Sequence, residues 1–243
     1  MRYLRLNGAA LLAILILLAG CNGLRTVRGT GDMTGEAREV GDFSVVDLAG
    51  IGTVVVEVGD KTALRIEAEE NLLPYLESGV EGNTLTLGIR EGVNVLPTQG
   101  IFYYLTVRDL EEITVSGLGN VDIPHLEGTT TAINVTGGGD INIEALQAKD
   151  LKVLISGLGD LTIDGGEVAD QNVTITGGGN YNARELASEV ANISITGIGS
   201  AAVWARDALN ASITGGGSVH YVGHPQVTKN ITGLGEVAPI DGE

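Results

Sequence analysis

The sequence predicts an all-β chain wound as a parallel β-helix, a solenoid of about 20-residue repeats. Three features predict it. The first is a phrase, hydroxyl residue, Gly, any residue, Gly, which returns at Ser116–Gly119, Thr136–Gly139, Ser156–Gly159, Thr176–Gly179, Thr196–Gly199, Thr214–Gly217 and Thr232–Gly235. Its first glycines are Gly117, Gly137, Gly157, Gly177, Gly197, Gly215 and Gly233, spaced 20, 20, 20, 20, 18 and 18 residues apart. A fixed period of this length marks a stacked repeat. The second feature is the flank of each phrase. Apolar pairs such as Ile113/Val115, Ile133/Val135 and Val153/Ile155 precede it, and Val121/Ile123, Ile141/Ile143 and Leu161/Ile163 follow it, with mostly polar residues between. Such period-two alternation is that of a strand with one buried face. The third is size: two short strands cannot bury their own apolar face, so neighbouring units must stack.

Each unit therefore reads as strand, corner, strand, connector. The corners hold Gly117 and Gly119, Gly137 and Gly139, Gly157 and Gly159, Gly177 and Gly179, Gly197 and Gly199, Gly215 and Gly217, and Gly233 and Gly235. Glycine is expected where every layer repeats a bend that a Cβ would hinder. Right-handed crossovers are the ordinary form of such a winding.

Residues 1–20 lie outside the repeat. Arg2 and Arg5 precede an apolar run that ends Leu18-Ala19-Gly20-Cys21, a secretory signal with a bacterial lipobox. Cys21, the chain's single cysteine, is then the lipidated first residue of the mature protein and its link to the membrane. An ordinary signal peptide with a free thiol is the alternative. Residues 21–41, rich in Gly, Thr and charge, read as a flexible tether. Asn22, where Asp would favour inner-membrane retention, points to the outer membrane. The mature chain carries 14 − 2 = 12 basic and 31 acidic residues, a net charge of −19. That balance argues against nucleic acid and against an electrostatic hold on anionic lipid.

The domain is expected over 42–238, irregular over 42–112 and regular over 113–238. Ala49-Gly50-Ile51-Gly52 is an eighth copy of the phrase, with Val46/Leu48 and Val54/Val56 in the apolar positions. Strands are expected at Leu64–Ala68, Leu85–Ile89 and Ile101–Val107. A short helical insertion is expected near 71–77, where Asn71 could cap it, Pro74 sits in the first turn and Leu72, Leu73 and Leu76 share a face. It would cover the N-terminal end of the core, since repeat arrays need atypical ends. Residues 92–100 read as a loop. In the last repeat Lys229 and Pro239 stand at apolar positions and would blunt an open edge.

Four stretches carry a resemblance: Glu70-Asn71-Leu72-Leu73, Asp109-Leu110-Glu111-Glu112-Ile113, the SGxG-type repeats, and Tyr221-Val222-Gly223-His224-Pro225. In this order, across about 40–238, they resemble the bacterial auto-transporter adhesin, head GIN domain family. The resemblance implies a secreted or lipid-anchored β-helical chain, with no catalytic motif to carry over. Leu and Gly at the centre of the corners depart from the family's polar residue.

The residues themselves offer little chemistry. His125, His220 and His224 do not have metal-ligand spacing with carboxylates, so no metal or cofactor is expected. Asn120, Asp140, Asp160, Asn180, Ser200, Ser218 and Glu236 follow the corners. They could mimic calcium-binding nonapeptide rolls, but a hydrogen-bonded ladder that satisfies turn backbone is the preferred reading. Asp164, Glu167 and Asp170, with Arg184/Glu185 and Arg206/Asp207, are connector charges that a polysaccharide-cleaving β-helix would place in a groove; a solvated surface is the simpler reading. Five Asn-x-Ser/Thr sequons follow from outward alternation, and no strand-to-helix context supports a phosphate loop. One pattern remains. The central corner residues run Leu118, Gly138, Leu158, Gly178, Ile198, Gly216, Leu234. Steric relief would explain the alternation, and so would an apolar ridge for a partner.

The function expected is thus a lipid-anchored cell-envelope protein with a non-catalytic binding or adhesion surface for a protein or glycan. The alternatives are a carbohydrate-active or calcium-dependent envelope enzyme, and a periplasm-facing structural or signalling lipoprotein.

Overall fold

The structure is a computed structural model that describes residues 25–240; residues 1–20, read above as a signal peptide, and Cys21 lie outside them. Equivalent strands pair in parallel, layer upon layer. On the first face Val46, Ile113, Ile133, Val153, Val173, Ile193 and Ala211 stand in one row, and Leu48, Val115, Val135, Ile155, Ile175, Ile195 and Ile213 in another. On the second face Val54, Val121, Ile141, Leu161, Tyr181, Ala201, Val219 and Val237 align. All of these are buried. The period-two pattern thus becomes rows of β-branched side chains along the solenoid's interior, each capped above and below by its equivalents.

The connectors are more ordered than expected. Single bent strands run Asn120–Val135, Ile141–Ile155, Tyr181–Gly197 and Ser200–Gly215. Their inner residues Leu126, Leu146 and Leu186 close a third side. Connectors of equal length place each N–H beside the next layer's C=O, so the ladder continues around the bend. The change from a 20- to an 18-residue spacing takes up its deficit here, and the following layer keeps 18 throughout. Register shifts fall between Ala183 and Ala187 and between Ser188 and Val190, while Ile195 still pairs with Ile213 and Gly197 with Gly215.

The N-terminal region is built differently. The 45–58 layer, with the eighth corner, pairs on one side with the repeats, Val46 to Ile113. On its other side lies a layer made of Thr84–Ile89 and Phe102–Val107. Sequence order and spatial order therefore part company. The chain builds the second layer, then the first, and crosses back to start the repeats at Glu112. Leu76–Glu81 then pairs antiparallel with Thr84–Ile89, Ala63–Glu69 with Phe102–Val107, and Met33–Arg38 with Ala63–Glu69. These reversed strands end the parallel stack.

Three expectations are corrected here. The stretch read as a flexible tether over 21–41 carries strands at Arg25–Arg28 and Met33–Arg38. The first pairs in parallel with Val93–Leu96, inside the stretch read as a loop. In place of the helical insertion there is one 3₁₀ turn, Leu73–Tyr75, with Pro74 inside it. Leu72, Leu73 and Leu76 are buried as expected. Asn71, however, caps nothing: its Oδ1 accepts from Thr30 N and Oγ1 at 3.2 Å, and its Nδ2 donates to Arg28 O at 2.8 Å. Bonds to a distant segment override the local helical preference. At the far end Lys229 and Pro239 are exposed, on strands whose outer sides no described strand pairs. No helix among the described residues is long and apolar enough to cross a membrane.

Candidate recognition surface

The corners explain their own glycines. A Cβ on Gly137 would lie 1.9 Å from Gly117 O, on Gly157 1.8 Å from Gly137 O, and on Gly159 1.9 Å from Gly139 O. The same approach brings backbone bonds across layers: Leu158 N donates to Gly137 O at 3.0 Å, and Gly178 N to Gly157 O at 3.2 Å. The first and third glycines are thus fixed by neighbouring backbone. The central position is not. A Cβ on Gly138 would meet only Leu118 Cδ2 at 3.1 Å, and one on Gly178 the tips of Leu158 and Ile198 at 3.2–3.9 Å.

The large central residues point outward. Leu118 is 71% exposed, Leu158 77%, Ile198 78% and Leu234 94%. They form an apolar row down one edge of the solenoid. Neighbouring backbone does not reach the central position, and Ile51, in the layer before Leu118, is half-buried against the core and does not join the exposed row.

One flank of the ridge is a polar ladder. Asp140 N donates to Asn120 Oδ1 at 3.0 Å, Asp160 N to Asp140 Oδ1 at 2.8 Å, Asn180 N to Asp160 Oδ1 at 2.7 Å and Ser200 N to Asn180 Oδ1 at 3.2 Å. Each side chain satisfies the corner backbone one layer on, which is the ladder the sequence favoured over calcium ligation. The sequons have a similar origin: Asn192 donates to Asn172 at 3.0 Å and Asn210 to Asn192 at 2.9 Å.

The other candidates separate. Arg206 pairs with Glu167 and Arg184 with Glu185, so these connector charges bind one another and do not converge on a groove. His125 faces Glu127 at 2.9 Å, and among the described residues no three His, Cys, Asp or Glu stand together as metal ligands. The groove of about 610 Å³ at the edge of the irregular region is lined by Asp42, Asp109, Glu111 and Glu112, with Arg108 held 3.4 Å from Asp42.

Sequence reasoning missed two buried polar groups. Glu69 is fully buried, and its carboxylate accepts from Gly31 N at 2.6 Å and from Thr98 N and Oγ1 at 2.7 Å each. Burial pushes its pKa up, but the bonds from Thr98, Gly31 and Gln99 outweigh that and hold it below the ordinary value. Inside the repeats Tyr181 Oη donates to Gln171 Oε1 at 2.8 Å, and Gln171 Nε2 to Ser188 Oγ at 2.9 Å. Nothing in the local sequence marks either, because the partners come from distant segments.

The class is thus defined: a β-solenoid with a capped N-terminal end and a rigid, laddered edge. A family model described as "Putative auto-transporter adhesin, head GIN domain" matches residues 42–225, and the chain belongs to that family. It is similar to the crystal structure of a "putative adhesin" from Bacteroides fragilis, with 25% identity and TM-score 0.84 over 88% of this chain and 100% of the other. A "putative adhesin" from Parabacteroides merdae (24% identity, TM-score 0.68) and a "putative lipid binding protein" from Parabacteroides distasonis (21%, 0.72) share the fold, each over 89% of this chain and 100% of theirs. No curated protein matches.

Proposed function

We propose that the chain is a lipid-anchored protein of the cell envelope, in the outer membrane, and that its corner ridge is a non-catalytic binding surface. The row Leu118, Leu158, Ile198 and Leu234 carries this reading. Four large apolar side chains exposed in line gain nothing from folding and risk aggregation, so a partner is the reason to keep them. The ladders beside them hold the edge rigid, which lowers the ordering cost of binding. The adhesin descriptions of the family and of the Bacteroides fragilis relative support the same reading.

The anchoring half rests on the lipobox at Cys21. Arg25, four residues on, begins a strand against Val93–Leu96, so a lipidated Cys21 would set the capped end at the membrane and the repeats outward. Radiolabelled palmitate fed to cells expressing the full chain is expected to label it, and Cys21→Ala to lose both label and membrane fraction. The binding half is tested by applying the full chain, in detergent, to a glycan array and by cross-linking in the intact envelope. Leu118, Leu158 and Ile198 replaced together by Ser should abolish the glycan signal or the protein adduct. Retention of both would overturn the assignment of the ridge.

A further inference from the structure

The alternation of large and small corner residues makes the ridge complementary to itself. Large side chains recur every second layer, about 9.6 Å apart, with Gly138, Gly178 and Gly216 between them. Leu158 and Ile198 lean over Gly178 from either side. Both are more than three-quarters exposed, so they change rotamer freely. We propose that the ridge docks a second copy of this chain, antiparallel, about a two-fold axis crossing the ridge between the Leu158 and Gly178 layers. The inference rests on the ridge being a binding surface.

A two-fold axis lying across the ridge reverses layer order and keeps each flank on its own side. Leu158 then falls on Gly178 of the second copy, Leu118 on its Gly216 and Ile198 on its Gly138, while Leu234 at the end of the strip falls on the layer of Ile51, whose side chain packs against the core. A parallel pair related by a two-fold along the ridge would set Leu against Leu. The polar flank selects the register. With the axis so placed, Asp140 faces Ser200 of the second copy, Asp160 its Asn180 and Asn120 its Ser218, so no carboxylate lies directly across from another; the two copies of Asp160 come one layer apart, each opposite an Asn180. Placing the axis between the Gly178 and Ile198 layers also interlocks Leu with Gly, but brings Asp140 against Glu236, where like charges repel.

The strip spans about 24 Å between its end layers and is narrow at its apolar crest. It buries less than the roughly 800 Å² per partner of a standard stable interface. Association is therefore weak in dilute solution and depends on two chains held in one membrane, where their effective concentration is high.

The test introduces one cysteine at a time into the full chain, expressed in a bacterial envelope, at Leu118, Leu158 or Ile198. A short homobifunctional thiol reagent is applied, and the parent chain with Cys21 alone gives the background. Two copies of position 158 lie one layer apart along the ridge, about 4.8 Å, those of 198 about 14 Å and those of 118 about 24 Å. Leu158→Cys is expected to give cross-linked dimer several-fold above Ile198→Cys, and Leu118→Cys none above the parent. Adding Ser200→Lys to Leu158→Cys, opposite Asp140, should raise the yield, and Ser200→Asp should lower it. Equal yields at the three positions, a maximum at Ile198→Cys, or no dimer from Leu158→Cys would overturn the proposal. Failure of the binding-surface reading itself would look different: the triple serine chain would keep every adduct and glycan signal of the parent.

Discussion

The irregular region before residue 112 and the repeats after it solve one problem by opposite means. In the repeats residues lie against their equivalents 18 or 20 positions away, save at the one irregularity between Ala183 and Val190. Translation alone sets the register, and the polar ladders repeat with the backbone. In the cap the strands reverse, layers stack out of sequence order, and polar side chains reach across 29 to 43 residues to pin the edges. Asn71 holds Arg28 and Thr30, and Glu69 holds Gly31 and Thr98. A periodic stack has its register set by translation and relies on such locks less, whereas its end needs them, because nothing beyond it fixes the last strand.

Glycine gives the sharpest test of this contrast. Gly157→Ala drives a Cβ to 1.8 Å from Gly137 O, a backbone carbonyl that cannot swing aside, and is expected to cost about 3 kcal/mol or more, or to prevent folding. Gly88→Ala, in the cap strand Thr84–Ile89, meets nothing within 4 Å and should gain about 0.5 kcal/mol by restricting the unfolded chain. Urea midpoints with unchanged slopes would establish the pair.

The two buried tyrosines come next. Tyr181, in the repeats, donates to Gln171, and its removal as Tyr181→Phe leaves Gln171 Oε1 unpaired at a cost of about 1–3 kcal/mol. Tyr103, in the cap, has a buried hydroxyl with no partner, so Tyr103→Phe should be neutral or slightly stabilising. Burial pushes the Tyr103 hydroxyl up to about 12, with Arg38 opposing. Its folded pKa is raised, so its contribution is complete below pH 10 and is lost as pH rises through about 12. Tyr103→Phe is expected to flatten that alkaline loss.

Smaller and more local is the effect of Glu69. Its carboxyl is held below the ordinary 4.5, so the stabilisation is present above that value and lost as pH falls through the lower folded value. Glu69→Gln should raise amide exchange at Gly31 and Thr98 at neutral pH and leave the corner amides of the repeats protected. Acidification of the parent chain should open the same two segments first.

The difference between the regions also decides what the sequence could tell. Period, alternation and glycine placement made the repeats, the eighth corner and its Ile51 legible, because there the local pattern and the global fold are one constraint. The 3₁₀ turn at Leu73–Tyr75 and the strand at Arg25–Arg28 were not, since both depend on contacts with segments far along the chain. For the candidate surface, alternation exposed the choice between relief and ridge. Only the geometry showed that the central glycines face side-chain tips while the outer ones face carbonyl oxygens.

The most direct test of the ridge as a working surface is the thermal melt of the full chain bearing Leu118→Ser, Leu158→Ser and Ile198→Ser, read beside its envelope cross-linking. Side chains exposed to this degree contribute little to folding, so the melting temperature is expected to stay within about 2 °C of the parent, while the cross-linked adducts disappear. A melt lowered as far as for a core leucine, with adducts unchanged, would make the ridge part of the scaffold and contradict the account.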